Sequence, residues 1–229
     1  MALKIIPIRA GTAHVYLVIQ ESGFFLVDAG GRGYASKVAK AITSRGLQLS
    51  NLKFIFLTHT HYDHAGCAAE LKKMSGTKII VHKSEAGFLR NGGQFVPAGT
   101  DILAKFISGL GRLLGKAYTS FPPVEPDVLF ESTFSLEPFG VEAKIISTPG
   151  HTIGSSCLVI ENVVFAGDTL FYIQGKVFPP FANDTNLLLK SWGLLLNENV
   201  EWYYPAHGKR LSKNTLLKEF QKRVKKNNI

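Results

Sequence analysis

Several things are scarce in this chain, and each scarcity excludes something. Only two of its 229 residues are cysteine, Cys67 and Cys157, and they form no C-x-x-C pair. Neither a disulfide framework nor a zinc knuckle is expected, and each thiol should be a small buried residue. No stretch reaches the ~18 consecutive apolar residues that cross a bilayer. Met1 to Gln20 lacks the apolar core and small-residue cleavage site of a secretory leader. The expectation is a soluble, cytoplasmic protein without stable membrane insertion. Acidic residues are the minority, 17 Asp and Glu against 26 Lys and Arg, for a net charge of +9. A modest basic excess favours anionic partners in general, but here it reads as a solvated surface, and no nucleic-acid partner is expected from it. Histidine is also scarce, with seven in all. The hydrophobic share of 45% is ample for one large core, whether as one domain or two fused halves.

Against that scarcity, Thr58-His59-Thr60-His61-Tyr62-Asp63-His64-Ala65-Gly66 places three histidines and a carboxylate within six positions. The preceding Leu52 to Leu57 is a short apolar run typical of a buried strand. The following Ala65 to Met74 reads as a helix, with Ala68, Leu71 and Met74 at three-residue spacing. The cluster is therefore expected on a loop between a strand and a helix. His59 and His61 are two apart and point the same way in extended chain, so they can grip one metal. Asp63 and His64, where the chain turns into the helix, can face a second point. Imidazole with carboxylate suits zinc, and also iron or manganese.

His59-x-His61-x-Asp63-His64 after a strand resembles the signature of the metallo-β-lactamase-fold superfamily. Its further motifs follow in order: His151 in Thr148-Pro149-Gly150-His151-Thr152, Asp168 in Ala166-Gly167-Asp168-Thr169, and His207 in Pro205-Ala206-His207-Gly208. The resemblance spans about Leu3 to Gly208, and implies one domain over residues 1–229, an αββα sandwich of two similar halves in the α/β (α+β) class. It also implies that His59, His61 and His151 hold one divalent ion, that Asp63, His64 and His207 hold another, and that Asp168 bridges them. Zn2+ is the expected metal, with Fe or Mn as alternatives. Asp28, at a strand end, matches an aspartate of the superfamily and is expected to brace the metal loop rather than ligate.

Along the chain, strands are expected at Leu3–Arg9, Ala13–Gln20, Gly23–Val27 and Thr77–Val81, with a helix over Tyr34–Arg45 that stops at Gly46. His82 and His14 have no motif around them and are expected in the core or at the surface. Residues 84–125, bracketed by prolines, read as a helical insertion between the two halves. Within it Ile102, Leu103, Phe106, Ile107, Leu110, Leu113 and Leu114 recur at helical spacing, with Lys105, Arg112 and Lys116 on another face. This helix is expected to pack on the body, preferably as a lid over the active site, with attachment to a membrane surface as the other reading. The second half is expected to hold strands at Val128–Phe130, Thr133–Leu136, Val141–Ile146, Cys157–Ile160, Val163–Phe165 and Trp202–Tyr204. Helices are expected at Asp184–Leu196 and Leu211–Lys226. His151 and Asp168 should lie on loops after strands. The basic Lys222 to Lys226 run fits a helix C-terminus, where cations favour the dipole.

Two divalent ions can share one water and lower its pKa towards ~7. The resemblance thus implies a dinuclear hydrolase in which a metal-bridging hydroxide attacks an ester, thioester or lactone of a small, partly apolar substrate. Asp63 can relay a proton afterwards, and Asp168 is the catalytic bridge. Lactamases of the fold carry Cys or Ser where this chain has Asp168, which argues against antibiotic hydrolysis. Glyoxalase II carries a longer C-terminal domain than the chain supplies. Lactonases of the fold use a tyrosine shortly after the bridging aspartate, so Tyr172 is a candidate substrate contact, with Phe178 and Phe181 as candidate walls. The alternatives are a mononuclear iron oxygenase of the persulfide dioxygenase kind, on His59, His61, His151 and Asp168, and a phosphodiesterase or nuclease. The sequence leaves the oligomeric state open.

Overall fold

The computed structural model describes residues 3–113 and 119–227. Its strands form two six-stranded sheets. The first runs in the order β1 (Lys4–Arg9), β2 (His14–Gln20), β3 (Gly23–Val27), β4 (Leu52–Phe56), β5 (Lys78–His82), β6 (Val128–Phe130). The second contains β7 (Phe134–Ser135), β8 (Ala143–Ser147), β9 (Ser156–Ile160), β10 (Val163–Tyr172), β11 (Trp202–Gly208) and β12 (Leu211–Ser212), in reverse order across the sheet.

Strand periodicity explains the layering. Successive residues of a strand face opposite ways, so a strand buried on both faces reads as an unbroken apolar run. In β2, Val15 and Leu17 join one core while Tyr16 and Val18 join another. β3 splits in the same way, Phe24 and Leu26 against Phe25 and Val27. The outer core of the first sheet receives Val38 and Ile42 of α1 (Ala35–Thr43) and Leu71 of α3 (Ala68–Ser75). The inner core joins Phe54, Phe56 and Ile80 of the first sheet to Ile145, Leu158 and Phe165 of the second. The far face of the second sheet takes Leu188, Leu189 and Trp192 of α6 (Thr185–Asn197) and Leu216 of α7 (Lys213–Asn227). The result is the expected αββα sandwich.

Three features differ from the sequence reading. First, β6 pairs in parallel with β5, so Val128–Phe130 belongs to the first sheet. Residues 84–125 are therefore the crossover between neighbouring parallel strands, not a join between the halves. Second, the helix after the histidine cluster is two helices, α2 (Tyr62–Ala65) and α3, separated at Gly66 and Cys67. Third, the crossover holds α4 (Lys83–Asn91) and then α5 (Ile102–Leu113), in which the small Ala104 and Ser108 face inward. Ala104 and Ser108 are buried, whereas Ile102 is 90% exposed, Phe106 70% and Leu110 48%. Close approach is the cause: a Cβ added to Gly99 would lie 2.0 Å from the Lys105 nitrogen and 2.5 Å from the Ala104 carbonyl oxygen. Only small side chains fit where chain and helix pass so closely. Leu114 and Lys116, and the side chains of Leu103, Ile107, Arg112 and Leu113, lie outside what the structure describes.

At the C-terminus, Arg223 pairs with Glu219 and lies over the Phe178 ring, 4.1 Å from its centroid. This accounts for part of the basic run as intramolecular packing. No helix among the described residues is long and apolar enough to cross a membrane.

Candidate metal centre

The cluster sits where the C-terminal ends of β4 and β8 and the strands β10 and β11 converge between the sheets. Thr58, just past β4, is fixed by Asp28, whose Oδ1 accepts from the Thr58 backbone N–H (2.8 Å) and hydroxyl (2.9 Å). Asp28 adopts a left-handed backbone, φ 63°, which aspartate tolerates better than most residues. Its Oδ2 accepts from His64 Nδ1 at 2.8 Å. Asp28 is thus a brace, and its contact leaves His64 Nε2 facing inward.

The other histidines are oriented in the same manner. His59 Nδ1 lies 3.1 Å from the Thr58 hydroxyl, and His151 Nδ1 donates to the Phe181 carbonyl at 2.8 Å. Their Nε2 atoms then meet His61 Nδ1, at 2.9 and 3.0 Å. Asp168 divides its oxygens. Oδ2 is 3.4 Å from His151 Nε2 and 4.0 Å from His59 Nε2, while Oδ1 is 3.2 Å from His64 Nε2 and 3.4 Å from His207 Nε2. His207 Nε2 also lies 3.4 Å from Asp63 Oδ2, which accepts from the Thr12 hydroxyl at 2.7 Å.

The structure therefore brings together all seven residues singled out for metal binding, in two groups. His59, His61, His151 and Asp168 form one, and Asp63, His64 and His207 the other, with donor atoms in each group within 4.8 Å of one another. His151 lies on a loop after β8 as expected, whereas Asp168 lies inside β10, and His207 lies inside β11. Gly167 makes this possible: a Cβ there would lie 2.4 Å from the Thr58 hydroxyl oxygen, and its φ is +49°.

The donors fit a divalent cation. Three imidazole nitrogens converge at hydrogen-bond distance, although a neutral imidazole has a single N–H. His64 Nε2 and Asp168 Oδ1, which face the donor groups, are buried without a hydrogen-bond partner. Such orphans are costly unless something else satisfies them. Burial, then the neighbouring imidazoles, pushes His59 well below the ordinary range. Burial and His151 bring His61 down to about 3. Burial raises the cost of charging Asp63 and Asp168, yet the imidazoles of His64 and His207 hold both carboxyls low. Burial opposes charge on His64 and His207, but the carboxylates, Asp168 foremost, outweigh it and raise both. Neutral imidazoles beside ionised carboxylates are what a cation requires, and at the second group a cation would replace the proton those carboxylates otherwise hold.

Above the donors lies a cavity of about 240 Å3 lined by Val96, Pro97, Phe171 and Phe181, by Thr12 and Tyr62, and by His61, Asp63, His151, Asp168 and His207. Tyr172 and Phe178, expected at this wall, do not line it. Tyr172 packs on the core of the second sheet, and Phe178 packs on Trp192, ring centroids 5.5 Å apart. Phe171 takes the place expected of Tyr172 and stacks on His207, centroids 4.6 Å apart. Thr12 escaped the sequence reading because a threonine in a turn carries no pattern. His82 and His14 stay outside both groups, bonded to the Glu131 and Ala206 carbonyls. Cys67 and Cys157 are buried free thiols.

A two-sheet sandwich with clustered imidazoles and carboxylates at one edge defines a metalloprotein. The chain belongs to the metallo-β-lactamase superfamily, whose family model matches residues 8–207. A probable metallo-hydrolase of Methanocaldococcus jannaschii is 28% identical over 205 residues, covering 86% of this chain and 88% of that protein. A hydroxyacylglutathione hydrolase of Shewanella halifaxensis is 28% identical over 172 residues, 74% of this chain but only 52% of that enzyme. The solved structure of TTHA1623 in a di-iron-bound form superposes with a TM-score of 0.68 at 24% identity, over 92% of this chain and 96% of that one. Family, donor cluster and metallo-hydrolase relatives mark this chain as a metal-dependent hydrolase.

Proposed function

We propose that the chain uses two divalent ions, Zn2+ or alternatively Fe or Mn, to cleave an ester, thioester or lactone of a small, partly apolar substrate. The carrying observation is the division of Asp168, one oxygen towards each donor group. His59, His61 and His151 would hold one ion, Asp63, His64 and His207 the other, and Asp168 both. Bound there, the pair supplies a water acidified towards ~7 and a Lewis acid for the carbonyl oxygen.

The chain's own residues do the rest. Asp28, Thr58 and the Phe181 carbonyl fix the imidazoles, so that little reorganisation remains when a substrate arrives. Asp63, held by Thr12, has a carboxylate open to the cavity, where it can take up a proton and pass it to the leaving group. Val96, Pro97, Phe171 and Phe181 exclude water and receive an apolar acyl or alkyl group. Among the described residues the wall has no lysine or arginine, which favours an uncharged reacting end. The segment bearing Val96 and Pro97 leads into α5 and is pinned to the loop between β10 and α6 through Ala182 N–H to Ala98 O and Thr100 N–H to Pro180 O, 3.0 and 2.8 Å. It serves as a lid. The buried free thiols suit a reducing, cytoplasmic setting.

A panel of neutral esters, thioesters and lactones tests this, with turnover expected to vanish on chelation and return with Zn2+. Oxygen uptake with a persulfide, and no hydrolysis, would assign the oxygenase instead. Val96→Ala should lower kcat/KM for the best apolar substrate about tenfold, the usual scale for trimming a pocket wall. Phe178→Ala should leave that ratio unchanged while lowering stability, because its ring packs on Trp192 and Arg223. Equal effects of the two substitutions would remove the lid from the account.

A further inference from the structure

Glu85 belongs to no motif, yet it is wholly buried in the first turn of α4. Its Oε2 accepts from the Thr60 backbone N–H (3.0 Å) and from the Thr60 hydroxyl (2.6 Å). Its Oε1 accepts from the Gly154 N–H at 3.2 Å. Thr60 lies between His59 and His61, and Gly154 is on the loop that carries His151. One carboxylate therefore joins the histidine loop of the first sheet to the histidine loop of the second, across 25 and 69 residues of sequence. The site is built for it. A Cβ on Gly154 would stand 2.5 Å from Glu85 Cγ, so only glycine admits the side chain. The first turn of a helix also favours a negative charge. His82 secures that turn by accepting from the Ser84 N–H while its Nε2 donates to the Glu131 carbonyl. The Gln94 amide, 3.1 Å from the Thr60 hydroxyl, closes the other side.

We infer that Glu85 is a positioning residue: it sets the separation between the His59/His61 and His151 imidazoles and so determines metal affinity at the three-histidine group. Burying a carboxylate is costly, and three donors from two loops offset that cost only while the loops stay in register. Among the described residues Glu85 makes no hydrogen bond to a ligand side chain and acts through Thr60 and the Gly154 backbone. The inference rests on the metal site proposed above.

The test uses the full chain, as wild type, Glu85→Gln and Gly154→Ala. Metal affinity is read by chelator competition with Zn2+, and each site by the visible absorption of Co2+ bound in its place. Glutamine is isosteric but opposes an N–H donor with its own NH2. Alanine at 154 pushes the intact carboxylate aside. Both should weaken the three-histidine site 10- to 100-fold, the usual range for residues that orient ligands. Its Co2+ bands should change while those of the Asp63/His64/His207 site persist. Unchanged affinity and spectrum in both variants would overturn the inference, as would equal weakening of the two sites in step with a fall in Tm. Wild type that binds neither ion would instead refute the metal site itself.

Discussion

Asp168→Ala is expected to abolish hydrolysis and lower metal content while leaving the fold intact. Asp168 lies between both donor groups, within 3.2 to 4.0 Å of four imidazole nitrogens. No other described carboxylate joins both groups. Without it, the three-histidine group keeps only neutral ligands, and the second group loses a neighbour that helps hold His64 and His207 in place. Charge stabilisation of several kcal/mol is lost, and at about 1.4 kcal/mol per tenfold that is about three orders of magnitude in rate. The fold should survive because β10 keeps its pairing with β11 through residues on either side and with β9 through Val163, Val164 and Phe165. Circular dichroism, metal analysis and turnover on one preparation decide it. Retained turnover would contradict the shared carboxylate.

Asp28 is expected to give the second large effect, on stability as well as on metal. Asp28→Ala strands three donors: the Thr58 N–H, the Thr58 hydroxyl and His64 Nδ1–H. Each buried unpaired group costs about 1–3 kcal/mol. Alanine at φ 63° adds about 1–2 kcal/mol of backbone strain. A loss of about 4–11 kcal/mol on that sum removes a large share of the ~5–15 kcal/mol that holds a domain together. Asp28→Asn should fold, since asparagine tolerates the same backbone and keeps one acceptor oxygen. Its NH2 must then oppose either Thr58 or His64. Denaturant unfolding should rank wild type above Asn above Ala, and zinc affinity should fall in the Asn variant by about 10- to 100-fold. An Asn variant that binds zinc like wild type would show that His64 needs no brace.

The contrast between these aspartates and the misplaced aromatics shows what the sequence could reveal. The histidine cluster is legible because few histidines exist and three fall together, and β2 to β5 are legible as strands from their short apolar runs. The fate of Tyr172 is not. Alternate residues share a face, which carries Asp168 on to Leu170 and Tyr172. The ladder between β10 and β11 shifts register between Gly167 and Phe171, so Phe171 reaches the cavity while Leu170 and Tyr172 pack in the core. The sheet that takes Val128–Phe130 depends on pairing with β5 across a crossover, which three residues cannot announce. Thr12 and Glu85 reach the site from 51 and 25 residues away. Single hydroxyls and carboxylates at such separations leave no local period to read. In α5 the apolar stripe is visible in the sequence, but the close passage of Gly99 beside Ala104 and Ser108 is not.

The central claim is that seven side chains form two ion sites sharing Asp168, and metal content per chain tests it most directly. Protein loaded with excess Zn2+ and then desalted should retain about two ions per chain, as a two-ion hydrolytic site requires, and His207→Ala should retain about one. A single ion per chain in the wild type, unaffected by His207→Ala, would contradict the shared site and turn the reading towards a mononuclear enzyme on His59, His61, His151 and Asp168.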